Sequence, residues 1–364
     1  MRIGLVCPYS FDHPGGVQAH ILDLAQHMRA GGHVAQVIGP CSERTEVPDF
    51  VTRGGRSVPI PYNGSVARLG IGPGVERRLR SFLAEGDFDV LHIHEPNSPS
   101  YSMAALRVAR GPIVATYHAS AANSVLLRAV SPALKPLLEK IRGGIAVSEM
   151  ARRWQVQQLG TDPVLIPNGV DTAFFERAAA PTEGGAVEAV FLGRIDEPRK
   201  GLDVLMDALA HLHPATRERL RLTVIGGGTP VNGPFPIPVT FVGRVDDAEK
   251  AWLLGAAQVY VAPNTGGESF GIVLVEAMAA GCAVVASRLE AFSDVTGRNS
   301  VLVPAGDPHA LAGALDRVVA DDALRRELAI RGQRRARQYD WDHVAAQVLR
   351  VYETVADGTK VVPC

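Results

Sequence analysis

The stretch Gly267–Gly281, GESFGIVLVEAMAAG, decides the fold of the second half of this 364-residue chain. Its apolar centre needs a buried position, Ser269 is placed to cap a helix, and the final glycine suits a left-handed helix end. If one helix spans the stretch, Glu268 and Glu276 differ by roughly 80° around its axis, so both carboxylates can reach one ligand. Free amides at the helix start favour an anion. The stretch therefore predicts a buried helix beside a site for a ligand with an anionic group and hydroxyls, such as a nucleotide-sugar; a solvated helix face is the alternative.

The bulk composition indicates a packed protein of two domains. The chain is 46% hydrophobic and 21% charged, and its net charge of -1 argues against a nucleic-acid partner. Four scattered cysteines predict reduced thiols in a cytosolic protein. The first residues read as a strand rather than a signal peptide, and no apolar run reaches the roughly 20 residues of a membrane span. We expect a monomer.

Short apolar strands alternate with helical stretches in both halves. Strands are predicted at 2–7, 34–39, 90–94, 112–116, 144–147, 187–192, 220–225, 239–242, 258–262, 283–286 and 301–303. Helices are predicted at 17–30, 74–85, 100–109, 149–159, 201–212, 247–255, 270–280, 308–319 and 340–356. This rhythm is typical of parallel sheets covered on both faces. We therefore predict an α/β protein with two doubly wound domains, 1–168 and 169–342, and a C-terminal segment, 343–364, that packs back on the first.

Two loops after predicted strands suit phosphate groups. The first, PYSFDHPGGV, ends in Gly15 and Gly16 before a helix, although a plain strand-to-helix turn is the alternative. It is neither G-x-G-x-x-G nor a P-loop, so NAD and ATP sites are not predicted. The second, GRIDEPRKG, carries Arg194, Arg199 and Lys200, which can hold a diphosphate or form a solvated charge cluster.

Histidines lie within one predicted strand of the first half and directly after another. His118 comes at the carboxyl end of one strand, where a functional and a structural role are both open. His92 and His94 share a strand face and resemble metal ligands. No third and fourth ligands with suitable spacing appear, so no metal site is predicted.

The segment Gly72–Phe82, GPGVERRLRSF, predicts a basic amphipathic helix. Arg77, Arg78 and Arg80 flank an apolar stripe, so the helix could lie on an anionic membrane surface. A core-facing helix with a wet side is the alternative.

Together, the Gly-rich loops, the GR-x-D-x-x-R-K-G loop, the PNGVD junction and E-S-F-G-x-x-x-x-E resemble the retaining glycosyltransferases of family 4, which have the GT-B fold. The resemblance covers nearly the whole chain. The blocks CPYSFDHPGGVQAH, PIPYNGSVARL, GDFDVLHIHEPN and GPIVATYHAS are similar, more specifically, to members that mannosylate phosphatidylinositol. The resemblance implies two Rossmann-like domains facing a cleft, GDP-mannose as donor, phosphatidylinositol as acceptor, and transfer with retention, in which the leaving phosphate takes the proton of the attacking hydroxyl.

The resemblance also implies roles for individual residues. The donor would contact Gly16, Arg194, Arg199, Lys200, Val245, Asp247, Lys250, Glu268, Ser269, Phe270, Gly271, Ile272 and Glu276. Catalytic roles would belong to His118, Arg194, Lys200 and Glu268. The inositol phosphate would contact Tyr9, Gln18, Tyr62, Asn63 and Arg68. Arg77, Arg78 and Arg80 would dock the enzyme, cytoplasmic and peripheral, on the inner face of the plasma membrane. No tightly bound cofactor is implied, and a requirement for Mg²⁺ is left open.

The chain departs from the family pattern after Gly228. The segment 229–238, TPVNGPFPIP, has four prolines and cannot form the usual crossover helix. Three alternatives remain: a family 4 enzyme with another donor and a soluble acceptor, a nucleotide-sugar epimerase of similar architecture, and a non-catalytic sensor of nucleotide-sugars.

Overall fold

The computed structural model describes residues 1–13, 15–62, 65–118, 134–178 and 185–364. The chain forms two compact units. Unit 1 consists of Met1–Gly169 with Trp341–Cys364, and unit 2 is Val170–Asp340. The C-terminal helix, Trp341–Val355, is therefore part of the first unit, and the junctions lie within a few residues of those that the sequence predicts.

Unit 1 is built on a seven-stranded sheet whose paired strands all run parallel, in the order β10-β9-β8-β6-β1-β2-β3. These strands are β1 (Arg2–Val6), β2 (Val34–Gly39), β3 (Val51–Arg53), β6 (Val90–His94), β8 (Ile113–Tyr117), β9 (Gly143–Ala146) and β10 (Val164–Leu165). Its helices include Gly16–Ala30, Pro73–Gly86, Tyr101–Val108, Glu149–Leu159 and Trp341–Val355. The order reverses between β1 and β6, which makes the end of β1 the topological switch point.

Two antiparallel ladders in unit 1 were not predicted. Strands β4 (Val58–Tyr62) and β5 (Ser65–Leu69) form a hairpin, and β7 (Ala109–Arg110) pairs with β17 (Val362–Pro363). Pro59 and Pro61 hid the hairpin from sequence reasoning, because proline is confined to edge strands and cannot donate to a ladder.

Unit 2 contains a six-stranded parallel sheet in the order β13-β12-β11-β14-β15-β16. The strands are β11 (Val187–Leu192), β12 (Leu220–Ile225), β13 (Val239–Gly243), β14 (Val259–Ala262), β15 (Ala283–Ser287) and β16 (Ser300–Val303). The helices are Thr172–Ala178, Leu202–Leu209, Pro214–Arg219, Asp247–Ala256, Ile272–Ala279, Glu290–Thr296, Pro308–Ala320 and Asp322–Ala336. In chain order this is the 3-2-1-4-5-6 arrangement of a Rossmann fold, with its switch point between β11 and β14.

The proline-rich segment 229–238 is irregular, as predicted. It forms most of the crossover between β12 and β13, which pair in parallel without an intervening helix. Ile237 is buried against the main apolar cluster of the unit. The loop thus supplies core contact that a crossover helix would otherwise provide.

Both faces of each sheet are covered by apolar side chains. Unit 1 has separate buried clusters on its two faces, and so does unit 2. Trp341 belongs to one cluster of unit 1 and lies so close to Gly169 that any side chain there would collide with its ring. The continuous apolar strands that the sequence shows are the pattern of such doubly covered sheets.

Candidate active site

The charged loop 193–201 and the loop 263–271 leave neighbouring strands of unit 2 at the switch point. The first follows β11 and the second follows β14, and these strands pair in parallel. Ligands of open α/β sheets bind beyond this edge. The loops meet at Gly201, whose φ is 72° and where a Cβ would lie 2.0 Å from the carbonyl oxygen of Pro263. Only glycine fits there, so the approach of the two loops is built into the sequence.

Glu268 is the centre of an ion cluster between these loops. Its Oε1 accepts a hydrogen bond from Lys200 Nζ and another, 3.0 Å long, from Asn264 Nδ2. Arg199 Nη1 lies 3.5 Å from the same oxygen and donates a 2.8 Å bond to the carbonyl of Gly267. Arg199 also contacts Glu197. The structure therefore holds Arg199 and Lys200 together beside Glu268 at the strand ends, and these two cations can receive a diphosphate.

Arg194 lies on the same loop with more exposure to solvent. Its side chain is 57% exposed, and its Nε lies 3.4 Å from Asp196 and 3.9 Å from Glu197. Arg194 could therefore bind a ligand without first breaking a buried ion pair.

The helix that follows the second loop differs from the prediction. It runs from Ile272 to Ala279, and its N-cap is Gly271 with φ 96°, so Ser269 does not cap it. Glu268 lies before the helix, which makes the predicted helical spacing of the two glutamates wrong. Gly271 alone can supply the left-handed entry, and no described side chain caps the first turn, so its amides can bind an anion. Phe270 anchors the turn by packing edge-on against Tyr339.

Glu276 projects from this helix into a second, more deeply buried ion cluster. Its Oε1 accepts a 2.8 Å bond from Lys250, whose Nζ also lies 3.0 Å from Asp247. Its Oε2 has no hydrogen-bond partner among the described residues. Burial raises the pKa of Glu276, and Lys250 opposes this rise. The cluster thus contains a carboxylate oxygen that can accept a hydrogen bond from a ligand.

Both glutamates lie near Tyr260 on β14. Burial, followed by the charges of Glu276 and then Glu268, raises the pKa of this tyrosine. Val245 packs, half-buried, against the apolar cluster that contains Tyr260. The fold therefore places both carboxylates near strand β14, although they do not share a helix.

The loop after β1 forms the corresponding switch point in unit 1. Gln18 donates two 3.0 Å bonds from its Nε2, to the carbonyls of Ser10 and His13. The amide of Ser10 donates to the carbonyl of Arg68, and Tyr9 bridges to Leu69. Tyr9, Gln18 and Arg68, predicted to bind one acceptor, therefore surround a single loop.

Gly16 begins the helix Gly16–Ala30 on the same side. No side chain among the described residues caps this helix, and its first turn contains no acidic residue, so its start can bind an anion. Tyr62 is the last residue of β4, and the predicted Asn63 lies outside the described residues.

His118 directly follows β8 and belongs to a group of buried histidines. Its amide donates a 2.5 Å bond to Glu95, and its Nε2 lies 2.9 Å from Nδ1 of His94. Burial lowers the pKa of His118 to about 4, so the imidazole is neutral near pH 7. His20, from the helix Gly16–Ala30, stacks edge-on against His118 with ring centroids 4.9 Å apart.

Sequence reasoning missed His20 and dismissed His94 for lack of partners. The structure brings two further histidines to His94, from a different helix and from the end of a different strand, which spacing along the chain does not show. The one available signal was the position of His20, one helical turn beyond Gly15-Gly16 in a loop already suspected of ligand binding.

The helix Pro73–Gly86 uses its apolar stripe inside unit 1. Val75, Leu79 and Phe82 are buried in the core beneath it. Arg77, Arg78 and Arg80 are exposed, but the Arg78 guanidinium lies close to Gly55 and bonds to Tyr101. Arg80 donates to the carbonyl of Cys364. The core-facing alternative is therefore correct for the apolar stripe, so any membrane contact of this helix must be made by its charged face. Among the described residues, no helix has the length and apolar character needed to cross a bilayer.

The two units match two family models. Residues 14–174 match the model described as Glycosyltransferase Family 4, and residues 186–321 match that of Glycosyl transferases group 1. Among solved structures, the sucrose-phosphate synthase of Thermosynechococcus elongatus has a TM-score of 0.73 at 21% identity, covering 98% of this chain and 99% of its own. Anabaena HepE in complex with UDP and glucose has a TM-score of 0.73 at 20% identity, covering 97% and 100%. Fold and site thus define a glycosyltransferase with the GT-B fold.

Curated relatives resolve the family further. The phosphatidyl-myo-inositol mannosyltransferase of Mycobacterium tuberculosis strain H37Rv is 52% identical, with 99% of both chains covered. That of Mycolicibacterium smegmatis is also 52% identical, over 99% of this chain and 96% of its own. That of Propionibacterium freudenreichii is 40% identical, over 98% and 95%. The chain belongs to the phosphatidyl-myo-inositol mannosyltransferase family.

Proposed function

We propose that this enzyme transfers mannose from GDP-mannose to the inositol ring of phosphatidylinositol, with retention of the anomeric configuration. The full-length relatives carry the name of this activity. The observation that carries the proposal is the cluster of Arg199, Lys200 and Glu268 at the switch point of unit 2. It offers cations for a diphosphate and a carboxylate for sugar hydroxyls in one place.

When the donor binds, its groups would replace contacts that the site residues make with one another in the free enzyme. The diphosphate would take Lys200 and Arg199 from Glu268, with Arg194 closing over it, and the released carboxylate would then accept bonds from mannose hydroxyls. The backbone amides of Phe270, Gly271 and Ile272 would bind the negatively charged part of the donor. The free Oε2 of Glu276 would accept from the ribose.

The remaining donor contacts would lie around these groups. Val245, Asp247 and Lys250 would lie near the base, and Gly16 of unit 1 would approach the phosphates.

The acceptor would bind unit 1. Tyr9, Gln18 and Arg68 already surround one loop, and Tyr62 and Asn63 would complete the contacts to the inositol phosphate. Arg77, Arg78 and Arg80 would meet the anionic lipid surface as a charged face. The enzyme would thus act as a peripheral protein on the cytoplasmic side of the plasma membrane.

The reaction would depend on electrostatic stabilisation. The bond between the mannose anomeric carbon and the diphosphate breaks, a bond to the inositol oxygen forms on the same face, and the inositol proton passes to the leaving phosphate. Lys200 and Arg194 would stabilise the negative charge of that phosphate, which is commonly the largest contribution in such sites. His118, neutral because it is buried, would support the sugar without adding like charge beside the developing cation.

The direct test is incubation of the full chain with radiolabelled GDP-mannose and phosphatidylinositol, followed by lipid extraction. The expected result is label in the lipid. NMR of the product should show that the transferred mannose keeps the anomeric configuration that it had in the donor. Label only in a soluble product would favour another acceptor, conversion of the donor without acceptor would favour an epimerase, and donor binding without turnover would favour a sensor.

Two substitutions connect this activity to the site. Lys200→Ala and Glu268→Ala should each lower turnover at least tenfold while the fold survives, because each removes a group that acts on the leaving diphosphate or the sugar. Arg221→Ala removes an exposed arginine on β12 and should leave turnover unchanged. Near-normal transfer by either site variant would contradict the assigned roles.

A further inference from the structure

Three buried histidines converge from three separate elements of unit 1. His20 comes from the helix Gly16–Ala30, His94 ends β6, and His118 follows β8. Each offers one ring nitrogen such that these atoms all lie within 4.8 Å of one another. Neighbouring strands and a covering helix hold these positions, so the convergence does not depend on a surface loop.

Two ring nitrogens in this group lack partners. Within the described part of the chain, neither Nδ1 of His20 nor Nε2 of His94 has a hydrogen bond, and both are buried. Leaving a buried polar atom unsatisfied costs about 1–3 kcal/mol. His92 shows the ordinary alternative, because Tyr352 and Thr116 satisfy its two nitrogens at 2.7 Å each. Both rings therefore have a nitrogen whose bonding capacity the described residues leave unused.

The protonation state of the three histidines suits a metal. Burial lowers the pKa of His20 and His94 well below the usual value, and it lowers that of His118 to about 4. Each imidazole is therefore neutral near pH 7 and has a lone pair for coordination. The nitrogens of His94 and His118 that face each other are 2.9 Å apart. Two ligands of a tetrahedral Zn²⁺ lie about 3.3 Å apart, so a small ring movement would admit the ion.

We propose that His20, His94 and His118 form a site for a divalent transition-metal ion of the Zn²⁺ class. Nitrogen ligands alone suit this class, whereas Mg²⁺ and Ca²⁺ require oxygen. The fourth position would be taken by water. Nδ1 of His94 and Nε2 of His118 share one hydrogen bond, so only one of them carries a proton. That ring would move its proton to its opposite nitrogen, so no proton need be released. Occupation would engage His118 and so inhibit transfer; this consequence, unlike the site itself, rests on the proposed function.

Metal binding by the full chain tests the site. After chelator treatment, the protein is titrated with Zn²⁺ alone, and one ion per chain is expected. His20→Gln and His94→Gln should each weaken binding at least tenfold. The matched control is the double change His211→Gln with His309→Gln, which removes an exposed pair with ring centroids 3.8 Å apart and should leave the affinity unchanged. Loss of binding in that control, with binding intact in the buried variants, would overturn the proposal.

A second measurement does not depend on how the variants fold. X-ray absorption on the unmodified protein with one equivalent of Zn²⁺ should show three imidazole ligands at about 2.0 Å. Two or fewer imidazoles would overturn the site. Inhibition of mannosyl transfer by Zn²⁺, relieved in His20→Gln, would support it further. Confirmed binding without inhibition would leave the site standing and contradict the role proposed for His118.

Discussion

The carboxylate of Glu276 is only partly hydrogen-bonded, and this affects how it can bind a ligand. One carboxylate oxygen is held by Lys250, and the other has no partner among the described residues. A buried carboxylate in this state accepts a ligand hydroxyl at little cost of reorganisation, because its position is already fixed. The contact would be remote from the reacting carbon, so it would contribute to the ground state and transition state alike.

Glu276→Gln should therefore raise the KM for GDP-mannose about tenfold and change kcat much less. The amide keeps one acceptor oxygen, but it also presents an NH₂ group and removes the charge that faces Lys250. Steady-state kinetics at varied donor concentration measures both constants. Glu188→Gln, in a surface ion pair with Arg221, is the matched control. A fall in kcat with unchanged KM would show that Glu276 acts on the chemical step instead.

The buried histidines make the stability of unit 1 depend on pH. Burial lowers the pKa of His92 to about 3 and that of His118 to about 4, from the ordinary histidine value of 6.5. Between roughly pH 6.5 and pH 4 the unfolded chain binds protons that the folded chain excludes, so stability is present above this window and falls as the pH falls through it. Each such histidine contributes about 1.4 kcal/mol per pH unit.

Chemical denaturation at about pH 7 and about pH 5, with chelator present, should show this loss. His92→Gln should reduce the slope, because the amide can still bond to Tyr352 and Thr116 but does not titrate. An identical slope in the variant and the parent protein would show that burial of His92 does not carry the effect.

At the scale of elements, different residues of the helix Pro73–Gly86 determine the folding stability and the attraction to an anionic membrane. Leu79 is fully buried, whereas Arg77 and Arg80 are exposed on the opposite side. Leu79→Ala should lower the free energy of unfolding by about 2–5 kcal/mol. The change Arg77→Gln with Arg80→Gln should leave stability nearly unchanged and weaken binding to anionic vesicles by about 2 kcal/mol, roughly 30-fold.

Vesicle sedimentation with and without anionic lipid measures this binding. Arg326→Gln with Arg334→Gln removes two exposed arginines from a helix of unit 2 and is the matched control. Equal loss in both double variants would mean that the net charge of the chain, and not this helix, determines membrane attraction.

Elements with a clear hydrophobic period were predictable from the sequence, and their ends were less so. The alternating strands and helices of both units lie close to their predicted positions, because an apolar face must be buried wherever it occurs. The helix at Ile272 starts later than predicted, because the left-handed conformation of Gly271 determines its entry and Ser269 does not cap it. The β4–β5 hairpin was missed, since prolines on an edge hairpin imitate a loop.

At the scale of the whole molecule, the site loops were predictable and the histidine group was not. Parallel topology brings the ends of β11 and β14 together in any fold of this class, so Lys200 and Glu268 could be linked in advance. His20 lies 74 positions before His94 in the chain, and nothing local joins them. Their proximity depends on how the helix Gly16–Ala30 packs, which only the tertiary structure reveals.

The division of the chain also predicts which fragments fold. Val170–Asp340 holds its complete sheet and both apolar clusters, so this fragment should fold cooperatively by itself. Residues 1–169 lack the C-terminal helix, whose Trp341, Val344, Val348 and Tyr352 are buried in unit 1. Burial of such side chains contributes about 1.5–3 kcal/mol each, and their sum approaches the roughly 5–15 kcal/mol that stabilises a domain.

Thermal and chemical unfolding of the two fragments, followed by circular dichroism, tests this division. The fragment 170–340 should show a single sharp transition, and the fragment 1–169 should show none. Joining residues 341–364 to the latter through a flexible linker should restore cooperative unfolding, because it returns the buried tryptophan to Gly169 and the hydroxyl of Tyr352 to His92. A sharp transition in 1–169 alone would mean that the C-terminal helix packs on a domain already complete without it.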